Sequence, residues 1–483
     1  MVTLSSGLGD PAAAGALHIH QDVALLAAYL DAGRPSFYHL AAGRGAYLVP
    51  TRGTIEVNGT PAAPRSGTAV SRVDALTIRA TDAAEIVLMD LPRPPRTARV
   101  DARLRLDEGG GPWLDATSIG GAFMADFQTL QEIARAARAN LAQSAWDYLT
   151  GGGESETTLK RNRLGLDSIG LRPRVCRDVT QIDCSTEFLG QTVRLPVCIA
   201  PMGSLQLLEP AGADGVVRAA DEFGIPAFLS SLTEPQIEDI GPQTNRPMVY
   251  QIYVRGDDSW VATFVKRAVN SGCGAVCFTV DLALYGRRER DLMKRYRPPT
   301  RQAGDLAAFH FQTAWNWDNV KRFKDAHDIP LIIKGIATAE DAEIAVEHGV
   351  DVIYISNHGG RQLDHGCATI DVLPEVAAAV AGRAKIMIDG GFMRGTDVVK
   401  AIALGAHAVG LGKLIGMGLA AGGREGVLRT LEILEEEITT ALGLMGVTRF
   451  DELGSSFLRS ASPVVLPHLL SPFPFINFTD KGY

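Results

Sequence analysis

The chain has 483 residues, 46% of them apolar and 21% charged, which is the balance of ordinary folded protein and enough length for more than one domain. Lys and Arg number 47 against 55 Asp and Glu, a formal net charge of -8, so no overall basic field exists to draw nucleic-acid phosphates. No apolar run approaches the roughly 18 residues of a membrane helix, and the opening MVTLSSGLGDPAAAG has neither the basic start nor the apolar core of a signal peptide. A cytoplasmic protein outside the membrane is expected. Cys176, Cys184, Cys198, Cys273, Cys277 and Cys367 form no C-x-x-C pair, which points to free thiols in a reducing compartment.

In chain order, short β-type runs come first. Residues 46–49, 54–57, 76–78 and 85–89 are separated by turn signals such as Asn58-Gly59, the pattern of a small all-β barrel or sandwich. His18, His20 and His39 are the candidate metal ligands, but the His-x-His pair precedes the first clear strand, so no metal is expected and the unit reads as structural or docking. Residues 92–120 run from Pro-rich through charged to Gly-rich, a linker composition. The expected domains are 1–91, a linker at 92–120, and 121–483.

Eight apolar runs follow, at 197–200, 227–229, 248–253, 275–280, 331–333, 352–355, 386–388 and 408–411. Unbroken apolar runs suit strands buried on both faces, and the helix-like segments between them supply crossovers. The expected fold class is therefore α/β, a (β/α)8 TIM barrel whose chemistry lies at the C-terminal strand ends. Those ends carry Ser230, Gln251, Tyr253, Thr279, Asp281, Lys334, Asn357, His358, Asp389 and Lys413.

The residue types at these ends suggest a reaction. Glycine-rich turns after strands seven and eight, DGGFMRG at 389–395 and GLGKLIG at 410–416, are where such a barrel cradles a phosphate with backbone N–H groups. Lys334 closes an apolar run and serves either as a Schiff-base nucleophile or as a fixed positive charge beside a cofactor. His358 is the candidate base, oriented by Asp281. Arg287 and Arg288 follow strand four, and Arg288 with Arg361 forms a natural carboxylate clamp.

A family resemblance rests on motifs in a fixed order: WDYLTGGGESETTLKRNR (146–163), PVCIAPMG (196–203), YQIYV (250–254), TVDLALYGRRERD (279–291), IIKGIATAEDA (332–342), SNHGGRQLD (356–364) and DGGFMRGTDVVKAIALGA (389–406). Residues from about 124 to 458 resemble the FMN-dependent 2-hydroxy acid oxidases and dehydrogenases, the glycolate oxidase, lactate oxidase and mandelate dehydrogenase group. The N-terminal unit resembles the C-terminal cupin half of pirin-like proteins. The first resemblance implies FMN as cofactor, a 2-hydroxy acid as substrate, and a homo-oligomer, tetramer or octamer. It implies that Tyr148 and Tyr253 direct hydroxyls at the substrate, that Arg288 and Arg361 grip its carboxylate, and that His358 is the base with Asp281 behind it. Ala200, Pro201, Met202 and Gly203 would lie under the flavin; Ser230, Gln251 and Thr279 would hydrogen-bond its ring. Lys334 would stand near flavin N1, and Asp389, Gly390, Gly391, Arg394, Gly412 and Lys413 would serve the phosphate end.

Departures from the family pattern sharpen these expectations. Met393 and Lys413 stand where the family usually has arginine, which implies weaker FMN retention, with adjacent Arg394 as the compensating donor. Gly203 and Leu232 replace larger residues, which implies room for a bulky or aromatic acid. The charged segment 292–316 reads as a mobile active-site loop rather than a membrane-inserting one. Oxygen, a quinone and a carrier protein are the candidate electron acceptors. Two rival readings are oxidation of a larger carboxylate-bearing intermediate or peptide, and a non-catalytic binding module; the full Tyr, Arg, His and Lys set opposes the second.

Overall fold

Along Arg44–Arg52 every second residue up to Pro50 is buried and those between are half-buried, the two-residue period of a strand with one face on a core. The computed structural model describes residues 2–6, 17–18, 24–41, 44–64, 68–71, 75–92, 127–241, 244–297 and 309–476, and its contacts divide the chain into two units, Met1–Ile119 and Gly120–Tyr483.

In the first unit, a six-stranded sheet has the order Leu17–His18, Val2–Ser6, Ala24–Leu30, Ala84–Pro92, Arg44–Arg52, Thr68–Ser71. A four-stranded sheet has the order Pro35–His39, Ala75–Ala80, Ile55–Val57, Thr60–Ala62. Leu48, Ile55, Leu76, Ile78, Ile86 and Leu88 are buried together in its core. Asn58 and Gly59, at φ 52° and 83°, make the two-residue turn expected between paired strands. Arg44 is buried but paired, its Nε 2.5 Å from Asp90 Oδ1, while Tyr38 donates to Asp90 Oδ2 at 2.7 Å. His39 is exposed at a strand end, and His20 lies outside the described residues. Among the described residues, no three His, Cys, Asp or Glu side chains come together as a metal site.

The second unit carries the eight strands. They are β1 (Val197–Ile199), β2 (Phe228–Ser230), β3 (Val249–Ile252), β4 (Ala275–Thr279), β5 (Leu331–Ile336), β6 (Val352–Ile355), β7 (Lys385–Ile388) and β8 (Ala408–Leu411). All pair in parallel in the order β1-β8-β7-β6-β5-β4-β3-β2, and a bridge between Ile199 and Ala227 links the two outer members. Alternate residues point inward: Cys198, Phe228, Val249, Cys277, Ile332, Tyr354 and Met387 fill the barrel interior. Their neighbours, such as Ile199, Leu229, Val276 and Ile353, pack outward against the helices. Burial on both faces is why these runs carry no polar alternation.

A hairpin of Thr186–Phe188 and Gln191–Val193 precedes β1, turning through Leu189 and Gly190 at φ 51° and 71°. Its Phe188 and Val193 are buried in the same cluster as the inward strand residues and plug the N-terminal end of the barrel. The expected loop at 292–316 includes the helix Phe309–Ala314, while 298–308, with Arg301 and Asp305, lies outside the described residues, as do 93–120 of the expected linker. No helix among the described residues is long and apolar enough to cross a membrane.

Candidate active site

The C-terminal ends of the strands open into a cleft. Of the residues singled out in the sequence, Tyr148, Ala200, Pro201, Met202, Gly203, Tyr253, Thr279, Arg288, Lys334, His358, Arg361, Asp389, Gly390, Gly391, Gly412 and Lys413 all line it.

β6 runs into a sharp reversal in which His358, Gly359 and Gly360 have φ of 58°, 62° and 74°. Three successive left-handed residues are rare, and only Gly fits the third: a Cβ on Gly360 would come within 2.6 Å of the Leu159 backbone. Asn357 serves this turn rather than the cleft. It exchanges hydrogen bonds with the Asn162 amide at 2.8 and 2.9 Å and accepts the Gly360 N–H at 3.0 Å.

The turn aims His358 at Asp281, whose Oδ1 lies 2.8 Å from His358 Nδ1. Burial, reinforced by Lys334 and Arg288 and opposed by Asp281, lowers the histidine pKa below its ordinary value. Burial would raise Asp281, but His358 and Lys334 outweigh it and hold the carboxyl below its ordinary value. At neutral pH the pair is thus a neutral imidazole on a carboxylate, with Nε2 available to take a proton. Gly335, at φ 117°, is part of the same device, because a Cβ there would lie 2.7 Å from Asp281 Cβ.

Lys334 is buried, donates to Ser356 Oγ at 2.7 Å and lies 3.3 Å from Asp389 Oδ2. Ser356 donates in turn to Asp389 Oδ1 at 2.7 Å and accepts the His358 N–H at 3.0 Å. Burial opposes the charge on Lys334, yet Asp389 and Asp281 raise its pKa, so it stays an ammonium. A held charge of this kind suits electrostatic work rather than a Schiff base, which needs a neutral amine. Ser356 is a residue that reading strand ends missed, although it opens the SNHGG motif.

Arg361 Nη1 donates to the carbonyls of Tyr148 and Gly151 at 2.6 and 3.1 Å. Burial and the charge of Arg288 push its pKa down to about 10, still cationic at neutral pH. Arg288 is buried with Nε lacking a partner, whereas Arg287 is exposed. Buried Asp291 offsets part of their charge, but among the described residues neither guanidinium forms an ion pair with a carboxylate, so two adjacent buried cations remain to hold an anion. Tyr148 donates to the Gly203 carbonyl at 3.1 Å, and burial keeps the Tyr253 hydroxyl protonated.

The sequence-based expectation for Arg394 needs correcting. Its side chain does not line the cleft; it pairs with Glu437 at 2.8 Å and donates to the Pro472 carbonyl at 3.1 Å. The reason is local, since its backbone starts the helix Gly395–Ala403, whose first turn is tied to Glu437 through the Gly395 N–H. Lys413, by contrast, lines the cleft and donates to the Gly359 carbonyl at 2.8 Å. Burial and nearby Arg361 drive its pKa well below the ordinary value, which disfavours its charge until an anion binds beside it.

A sequence model of the FMN-dependent dehydrogenase family matches residues 137–460. The chain belongs to the FMN-dependent dehydrogenase family. A second model, of the quercetinase C-terminal cupin domain, matches residues 8–91. L-lactate oxidase of Nostoc sp. is 36% identical over 355 residues, 68% of this chain and 97% of the relative. A peroxisomal (S)-2-hydroxy-acid oxidase of Oryza sativa subsp. japonica is 40% identical over 348 residues, 68% of this chain and 94% of its own. A crystal structure of mandelate oxidase with (S)-2-phenylpropionate aligns with a TM-score of 0.65 at 36% identity, covering 70% of this chain and all of that one.

The residues present fit the cofactor of an FMN-dependent dehydrogenase. Thr279 lines the cleft beside Ala200 to Gly203 with its Oγ1 unpartnered among the described residues, a polar group for a planar heterocycle; Gln251, wholly buried with both amide atoms likewise unpartnered, does not line the cleft. Ser230, buried beside Gln251 in register, accepts the Leu232 N–H at 3.3 Å and does not line the cleft. At the far end, Gly390 and Gly391 have φ of 110° and 85°, and a Cβ on Gly390 would meet Thr369 Oγ1 at 2.6 Å. Bare backbone there leaves N–H groups for a phosphate.

Proposed function

We propose that this flavoenzyme oxidises a 2-hydroxy acid to the corresponding 2-oxo acid. The observation that carries the reading is the convergence of Arg288 and Arg361 on the cleft that also holds the His358–Asp281 pair. A carboxylate pinned by two guanidinium groups leaves C2 and its hydroxyl no freedom to turn, which converts binding energy into alignment. Tyr148 and Tyr253 present hydroxyls to the same substrate, and His358 Nε2 takes one of its two departing hydrogens as a proton. Asp281 stabilises the imidazolium that results. Bound FMN would supply the two-electron acceptor that this oxidation needs. Lys334, held by Ser356 and Asp389, would supply a fixed positive charge to that cofactor.

The bulky side of the substrate would lie against Leu205, Leu208 and Leu232, all of which line the cleft, with Gly203 leaving space beside them. An apolar wall of this size favours an aromatic or long aliphatic acid over glycolate. The free thiols Cys176, Cys184, Cys198, Cys273, Cys277 and Cys367 suit a cytoplasmic location, and a homo-oligomer is the proposed assembly, to be read by light scattering.

Anaerobic mixing of the FMN-loaded protein with a panel of 2-hydroxy acids tests the reading. Bleaching of the flavin absorbance by at least one acid is expected. A flavin that none of them reduces, while dithionite does, would overturn it.

A further inference from the structure

The two cleft arginines are referenced to one helix, Gln143–Thr150, by different routes. Arg361 reaches it directly, through the Tyr148 carbonyl at 2.6 Å and the Gly151 carbonyl, just past its end, at 3.1 Å. Arg288 is the N-cap of the short helix Glu289–Met293, whose Arg290 and following Lys294 both turn toward Asp147. Asp147 adjoins Tyr148 and its side chain is only 1% exposed. Its Oδ1 accepts from Gln143 Nε2 at 3.0 Å and lies 3.9 Å from Arg290 Nη1, while its Oδ2 accepts from Lys294 Nζ. Arg290 is anchored a second time, donating to Glu156 Oε2 at 2.6 Å.

We propose that Asp147 is the positioning residue of the carboxylate clamp: by holding Arg290 and Lys294 it sets Arg288 opposite Arg361. This rests on the 2-hydroxy acid reading above. A five-residue helix cannot hold its own geometry, because nucleation costs more than one turn returns. Its position must come from tertiary contacts, and Asp147 receives two of its cations. Loss of that carboxylate would leave Glu156 and Asp291 as the remaining acids among four clustered cations, Arg288, Arg290, Lys294 and Arg361, and the segment would shift outward. Asp147 touches no reacting atom, so the effect belongs to substrate binding rather than to the chemical step.

The test uses full-length FMN-loaded enzyme carrying Asp147→Asn, Lys294→Met, or both. Steady-state KM and kcat for the best 2-hydroxy acid are measured, and dissociation constants of oxalate and of neutral 2-hydroxy-2-phenylacetamide are read from the flavin spectrum. Each single variant is expected to raise KM and the oxalate constant about tenfold with kcat within about threefold, roughly the worth of one charge-assisted contact. The amide constant should not move, and the double variant should be no worse than Asp147→Asn, since both act through one pair. If Asp147→Asn does not fold, Lys294→Met decides alone, its side chain being 34% exposed. Equal weakening of oxalate and amide, or an unchanged oxalate constant in Lys294→Met, would overturn the proposal. A wild-type flavin that no 2-hydroxy acid reduces would instead sink the underlying reading, and the oxalate titration would still report on the clamp.

Discussion

His358 Nδ1 stands 2.8 Å from Asp281 Oδ1, which commits that nitrogen to the carboxylate and leaves Nε2 as the one facing the reactants. The neutral imidazole is the working form, and its pKa lies below the ordinary value of about 6.5. Activity should therefore be flat at neutral pH and fall as the pH drops through that lowered pKa. Asp281→Asn should shift the acid limb to still lower pH, because Asp281 is what raises the histidine, while cutting kcat by on the order of 10² to 10⁴. A pH profile with its acid limb moved upward in Asp281→Asn would contradict this arrangement.

Lys334 acts in the opposite sense. Lys334→Met removes a cation that depresses His358, so the acid limb should move to higher pH. The same change should make the reduction potential of the bound flavin more negative by on the order of 30 to 60 mV, about 1.4 kcal/mol per 30 mV for two electrons. Ser356→Ala, which removes the hydroxyl between Lys334 and Asp389 and the acceptor for the His358 N–H, should give a smaller shift of the same sign. Potentiometric titration of the two variants checks both.

FMN retention turns on Lys413, since Arg394 is engaged with Glu437 and Pro472 and Met393 is apolar and buried. The double variant Met393→Arg, Lys413→Arg should tighten FMN by about tenfold or more, a gain of roughly 1.5 to 3 kcal/mol per added charged hydrogen bond. Lys413→Met should release flavin on gel filtration. Fluorescence titration of apoprotein with FMN measures each; no gain in the double variant would show that backbone donors already saturate the phosphate.

Substrate size should follow Gly203 and Leu232. Wild type should turn over mandelate-type acids in preference to glycolate, and Gly203→Ala with Leu232→Trp should narrow the cleft and reverse the order. Each methylene of pocket lost or gained is worth about 1 to 3 kcal/mol in kcat/KM. Comparison of kcat/KM for the two acids in both proteins is the measurement.

The eight strands were legible because burial on both faces erases polar alternation, and strand ends exposed the cleft residues Lys334, His358 and Thr279 directly. What resisted reading was connectivity between distant segments. Ser356 looks like one more small residue at a strand end, and only the fold brings it between Lys334 and Asp389. Gly335 reads as a pause in a strand until Asp281 is seen beside it. Arg394 misled because adjacency along the chain says nothing about direction, and here the helix start it caps turns the guanidinium toward Glu437. Asn357 misled in the other sense: its amide braces the turn against Asn162 and leaves the chemistry to its neighbour.

The hairpin carrying Phe188 and Val193 gives the barrel a solid floor. With that end closed among the described residues, reactant and product would use the cleft at the opposite rim. A shared rim would make the departing product and the incoming reactant compete for the same opening.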